Sequence, residues 1–279
     1  MTASQDQPQG ARESADSQLG STPGKLERAS GEAAPAGDAR VFAVIGDRYH
    51  NADFIRVHLD RLFGEMGLGY DYTIDTREIT SERLSRYPVF LFFRDGYHFA
   101  GGYIGPDAFP YAAQLMNDPP NSQPKSWITE EAAAAIKGYV EAGGGLYAMH
   151  NNPNVANFSE TYRSVVKGIY QGHPAVRPFK VEVVRGDHPI TEGVTDWITT
   201  DEEHYPEFDG DPATVLLRSV NIDGLVFEDK GTTNTSGWAH EVGQGRVVHS
   251  AMGHNLYALW QPSYLTFQKN AIRWLLREI

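Results

Sequence analysis

Histidines recur in this chain at places where chemistry is usually built. His50 stands in Gly46-Asp47-Arg48-Tyr49-His50-Asn51, His98 in Arg94-Asp95-Gly96-Tyr97-His98, His150 in His150-Asn151-Asn152, and His254 in Met252-Gly253-His254-Asn255. Each segment follows a short apolar run. An imidazole moves protons near neutral pH or ligates a metal, and burying it without a partner is costly. Four such placements are hard to attribute to chance. Three further polar clusters carry similar chemistry: Gly172-His173-Pro174, Asp187-His188-Pro189 and Asp201-Glu202-Glu203-His204-Tyr205. The last mixes carboxylate and imidazole within four residues, which suits a divalent metal or a general acid–base pair. The candidate catalytic groups are His150, Glu202, His204 and His254. The candidate metal ligands are His150, His173, Glu202 and His254, for zinc or manganese. Tyr49, His50, Tyr97, His98, Asn151, Asn152, Tyr205 and Trp238 are candidates to line a substrate site. His58 (mid-helix) and His249 (within a strand) read as structural, and His188 as a turn residue bonded to backbone.

Such residues need elements to hold them. Val41-Phe42-Ala43-Val44-Ile45 and Val89-Phe90-Leu91-Phe92-Phe93 are continuous apolar runs, the pattern of strands buried on both faces of a parallel sheet. Leu146-Tyr147-Ala148-Met149 is a third, and Tyr70–Ile74 a shorter candidate. Between them lie helical stripes. Ile55, Leu59, Leu62, Phe63 and Met66 share one face ahead of Gly67. Thr129 caps a second helix whose first turn holds Glu130 and Glu131 and whose inner face is Ile136, Tyr139 and Val140. This alternation predicts βαβ units, a right-handed parallel sheet and helices on both of its faces. Ligands of such sheets bind beyond the carboxyl ends of the strands, where the histidine segments fall. His150 stands where a nucleophile elbow would place its nucleophile. The second half predicts extra strands at about 178–184, 214–219, 224–228 and 246–250, and a closing helix through Tyr264, Phe267, Ala271, Trp274 and Leu275. Residues 100–126, rich in Gly, Pro and Asn, predict a lid or an ordered wall of the site.

Composition narrows the function. Residues 1–39 contain no aromatic residue and predict a disordered tail, leaving 40–279 as the folded domain. The net charge of −12 argues against nucleic acid and anionic membrane as partners. With no cysteine, thiolate catalysis, disulfides and iron–sulfur clusters are excluded. No apolar run reaches the ~20 residues of a membrane span, and no signal-peptide core is present, so a cytoplasmic location is expected. No P-loop, His-Glu-x-x-His or Gly-x-Ser-x-Gly occurs. Gly143-Gly144-Gly145 precedes a strand instead of opening a helix, so no nucleotide cofactor is expected. A homo-oligomer and a monomer both stay open, because neither a heptad pattern nor an obvious apolar patch ranks them.

Taken in order, the segments EAGGGLYAMHNN, GHP, DHPITEG, DEEHY and GWAHEVGQGRVVHSAMGH resemble the ThuA-like (trehalose utilisation) family over residues 40–279. The resemblance implies a flavodoxin-like fold related to class I glutamine amidotransferases. The elbow cysteine of those enzymes is replaced here by Met149-His150, so their glutaminase chemistry is excluded. It also implies a small-molecule carbohydrate partner, a sugar or 3-keto-sugar glycoside. The expected reaction is isomerisation or elimination by acid–base chemistry with metal assistance. His150 and His254 would serve as ligands or electrophiles and Glu202 or His204 as the base, with Tyr49, Tyr97, Tyr205 and Trp238 bordering the sugar ring. A non-catalytic sugar-binding or regulatory module and a metal-dependent hydrolase are the alternatives.

Overall fold

A computed structural model describes residues 39–98 and 125–279. The residues before 39 and the segment expected to be a lid, apart from Lys125-Ser126, lie outside the described residues. Strand β1 (Ala39–Ile45) begins one residue before the expected domain start. Helix α1 (Ala52–Met66) follows, capped by the Asn51 side chain and closed by Gly67 in the left-handed conformation. Then come β2 (Gly69–Thr73), the short α2 (Ser81–Leu84) and β3 (Val89–Phe93). After the two-residue strands β4 (Tyr97–His98) and β5 (Lys125–Ser126) come α3 (Glu130–Glu141), capped by Thr129, and β6 (Gly145–Met149). Helix α4 (Glu160–Val166), β7 (Gly168–Tyr170), β8 (Arg177–Val183), β9 (Trp197–Asp201), β10 (Pro206–Phe208) and β11 (Val215–Val220) lead into the hairpin β12 (Thr233–Val242) and β13 (Gly245–Ser250). Helices α5 (Leu256–Leu259) and α6 (Pro262–Leu275) end the chain.

Nine strands form one sheet in the order β2-β1-β3-β6-β13-β12-β11-β8-β9. The first five are parallel and the rest antiparallel. The fold is therefore a mixed α/β sheet whose core is the expected parallel, flavodoxin-like set of strands, with the expected extra strands in its second half. Alternate residues of β1 explain its unbroken apolar run. Val41, Ala43 and Ile45 pack with Leu59, Leu62 and α6, while Phe42 and Val44 face Ile136 and Val140 of α3. The strand expected at 224–228 does not form. Gly224 and Glu228 both take positive φ there, and the Asp223 carboxylate accepts the Leu225 N–H, so the segment turns and leaves Leu225 and Val226 exposed. No helix among the described residues is long and apolar enough to cross a membrane.

His58 is buried in α1, and its Nε2 donates to Gln268 Oε1 of α6 at 2.7 Å. Burial pulls its pKa down to about 4. The unfolded chain accepts that proton near pH 6.5, so His58 contributes fully to stability above that pH. The contribution is lost as pH falls toward 4. Urea unfolding at pH 7.5 and pH 4.5 should therefore show the native chain losing about 2–3 kcal/mol more than a His58→Asn variant.

Candidate functional site

The carboxyl ends of β1, β6, β13 and β9 meet around one oxygen atom. Glu202 Oε2 lies 3.2 Å from His254 Nδ1, 3.3 Å from His204 Nε2, 3.6 Å from both His150 Nε2 and His173 Nε2, and 3.8 Å from His50 Nε2. His50 Nε2 is itself 3.0 Å from His150 Nε2 and 3.2 Å from His254 Nδ1.

Each arm is held by the local fold. His150 leaves β6 with φ +52°, a backbone strain that side chains rarely accept. Its N–H donates to Ser250 O and its Nδ1–H to Ala251 O. Gly253 permits this approach, since a Cβ there would come within 2.7 Å of His150 Cβ. Asp47, in the turn after β1, orients His50. Its carboxylate accepts the His50 Nδ1–H at 2.8 Å and the N–H groups of Tyr49, His50 and Asp95, together with the Asn151 amide. The strands β7 and β10 pair as a small second sheet. Beside it Gln171 N donates to Tyr205 O and Tyr205 N to Gly172 O, which brings the His173 and His204 rings to 5.0 Å in a stack. His173 Nδ1–H donates to Pro174 O.

Glu202 arrives from the far edge of the sheet. In a flat sheet β9 would lie about 19 Å from β13, four strand spacings away. Instead Asp201 accepts the N–H groups of Gly253 and His254 at 2.7 and 3.0 Å, as well as the Asn255 amide. The antiparallel half therefore curls back over the ends of the parallel strands, and Asp201 clasps the two ends together.

Charge follows from this packing. Burial would raise the Glu202 carboxyl, but hydrogen bonds from His150, His204, His254 and His50 hold it far below the usual carboxylate range. Burial likewise opposes ionisation of Asp47, and the charge and hydrogen bond of His50 outweigh it. His50 is raised to about 10 against its own burial by Asp47 and Glu202. Burial drives His150 down to about 4 and His204 well below its ordinary value. The cluster forms one end of a cavity of about 380 Å³ lined by Tyr49, His50, Asp95, Tyr97, Asn151, Asn154, Tyr170, His173, Glu202 and His204. Asp95 is buried, and burial together with the Asp47 charge raises its carboxyl well above the usual range.

The structure thus brings together His50, His150, His173, Glu202, His204 and His254, with Tyr49, Tyr97 and Asn151 along the cavity. Four other candidates sit elsewhere. Trp238 is fully buried against Phe208 and His249, with its indole N–H on Val166 O, so it is a core residue. Tyr205 packs on Phe227 and its hydroxyl accepts from Asn221. Asn152 braces the elbow, accepting from the Tyr162 hydroxyl and donating to Arg94 O. His98 is exposed on β4, because the turn through Asp95 and Gly96 carries it away. His188 accepts the Ile190 N–H and His249 bonds Ala148 O, both structural. Sequence reasoning assigned no role to Asp47, Asp95, Asp201, Asn154 or Tyr170. Asp47 and Asp95 stand in two of the strand-end segments and Asp201 in the carboxylate–imidazole cluster at 201–205, but histidine carried the argument at each. Nothing in the sequence marks Asn154 or Tyr170.

A family model described as trehalose utilisation (ThuA) matches residues 48–275. Among solved structures the chain is similar to a putative ThuA-like protein from Bacteroides uniformis (18% identity, 88% of this chain and 95% of that one, TM-score 0.59). A second putative ThuA-like protein, from Parabacteroides merdae, is 15% identical over 84% of this chain and 88% of that one, with TM-score 0.62. A cytoplasmic protein from Salmonella typhimurium is 15% identical over 84% and 98%, with TM-score 0.51. No curated protein matches the sequence.

Proposed function

The chain belongs to the ThuA, trehalose-utilisation family, and from that premise we propose that it is a metal-assisted enzyme acting on a sugar already oxidised to a 3-keto form, or on its glycoside. One observation carries this reading: five imidazole nitrogens converge on a single carboxylate oxygen at the end of a cavity. Three of these imidazoles, His50, His150 and His173, already give their Nδ1–H to an acceptor. Neutral, they turn only lone pairs inward, and those of His50 and His150, on nitrogens 3.0 Å apart, repel unless a cation lies between them. Ring N–H groups anchored on carboxylate or carbonyl are also how proteins orient metal-ligating histidines.

The donor spacings support a divalent ion. Tetrahedral sites with bonds of about 2.0–2.1 Å have edges of about 3.3 Å. Among His50, His150, His254 and Glu202 five of the six edges run from 3.0 to 3.8 Å, and the sixth, His150 to His254, is no longer than 4.8 Å. Imidazole with carboxylate suits zinc or manganese. Before metal enters, His50 carries the proton that relieves the crowded nitrogens, so binding should release protons and weaken as pH falls.

A divalent ion held by these residues would supply electrostatic stabilisation of the negative charge that develops on the keto oxygen when a neighbouring proton is removed. The surrounding imidazoles hold the Glu202 carboxyl far below the usual carboxylate range, which suits a ligand better than a base. Asp95 lines the cavity and holds its proton more tightly than an ordinary carboxylate, which suits a general base. It removes the hydrogen on C2, which the C3 ketone acidifies. The electron pair then either regains a proton, giving isomerisation, or expels the substituent on C1 through the new C1–C2 double bond. Tyr49, Tyr97 and Asn151 line the cavity; the two tyrosines would border the ring and Asn151 would supply a polar floor.

The test is elemental analysis of untagged chain, paired with proton exchange in deuterated water. Bound zinc or manganese and deuterium entering C2 of a 3-keto-glucoside are expected. Absence of both would overturn the reading. Metal with ester or amide cleavage alone would favour a hydrolase, and binding without exchange a sugar-binding module. Asp47→Asn removes the charge behind His50 and should weaken metal affinity about 10- to 100-fold, read by competition with a chromophoric chelator.

A further inference from the structure

The cluster contains more donors than one ion uses. We propose that it forms two adjacent divalent-cation sites sharing Glu202: one held by His50, His150, His254 and Glu202, the other by His173, His204 and Glu202 and open to the cavity. This inference rests on the metal-assisted reading above and adds a second ion to it.

Geometry argues against a single ion. A tetrahedral site takes four donors, and six are present. In an octahedral site one ligand must stand opposite Glu202, at about 4.2 Å for metal bonds of about 2.1 Å. All five nitrogens lie within 3.8 Å of Glu202 Oε2, so none occupies that opposite position. The donors divide naturally instead. His50, His150 and His254 are joined by nitrogen contacts of 3.0 and 3.2 Å. His173 and His204 stack at 5.0 Å with both Nε2 atoms turned to Glu202 at 3.6 and 3.3 Å. The His150 and His204 rings, one from each set, stack at 4.1 Å, as side-by-side ligands of neighbouring ions would. Paired catalytic ions typically sit about 3.5–4 Å apart, a span that one carboxylate bridges.

The two sites differ in access. The first set supplies four protein donors, which is a closed site. The second supplies three, and all three line the cavity, so it retains a position for a substrate oxygen. The second ion is then the one that meets the substrate, and the first anchors the bridging carboxylate.

The experiment is metal stoichiometry on the full chain. Chelator-stripped protein is loaded with zinc or, separately, manganese, freed of excess ion and analysed by elemental and native mass spectrometry. Two ions per chain are expected in the native sequence. One is expected in His173→Ala/His204→Ala, with the remaining ion lost on adding His254→Ala. His173→Ala alone, a half-buried position, is the second variant should the double variant fail to fold, and it should weaken one ion selectively. One ion in the native chain, unchanged by removing His173 and His204, overturns the second site and leaves the metal-assisted reading standing. Two ions retained in the double variant also overturn it. No ion in any form overturns both.

Discussion

Glu202→Gln is expected to weaken metal binding by about two to four orders of magnitude, and turnover with it, while the chain stays folded. The side chain keeps its size but loses the one carboxylate that all five inward imidazoles share. Removing one charge from a buried, paired set costs about 3–5 kcal/mol, roughly a 10²- to 10⁴-fold loss of affinity. The metal-free chain should lose much less. An amide can donate to two of the imidazole nitrogens that otherwise face one another, so its melting temperature should stay close to that of native apo-protein. The comparison separates loss of a ligand from loss of the fold. Elemental analysis and thermal unfolding of both forms check it. Native metal content in the variant would remove Glu202 from the centre of the site and with it the reason the histidines converge.

That centre was only half legible in the sequence. The parallel half could be read because its strands are covered on both faces, so β1, β3 and β6 appear as unbroken apolar runs. The residues after them fall at the ligand-binding edge by topology alone, which located His50 and His150. The other half depends on contacts distant in sequence. Glu202 reaches His50 only because β9, at the opposite edge of the sheet, is drawn back by Asp201 onto Gly253 and His254. No periodicity within residues 197–205 encodes that curl. Within a loop, the pattern also does not say which residue turns inward. After β3 a turn at Gly96 exposes His98 and leaves Asp95 facing the cavity. Trp238 misled for a related reason. It sits on a strand roofed by α4 and β10, so an aromatic that looked available for a ligand is spent on packing.

Asp95→Asn should lower kcat about 10²- to 10⁴-fold, the usual contribution of a positioned general base, with metal content unchanged. The substitution is mild for the fold. Asp95 Oδ1 accepts the Tyr97 N–H at 2.9 Å, which an amide oxygen also does, and the contact to Asp47 is made by the backbone N–H of residue 95. What the amide cannot do is take a proton. The pH profile makes the distinction. Burial and the neighbouring Asp47 charge raise the Asp95 pKa above the usual carboxylate value, and a base works only when deprotonated. With metal kept saturating across the range, the native rate should therefore climb with pH through an acidic limb lying above pH 4, and the residual rate of the variant should lack that limb. A purely structural role would move stability or metal content and leave the limb in place. If Asp95→Asn keeps both its rate and its limb, the base must be sought on the other side of the cavity, where His204 and Tyr170 stand beside Glu202.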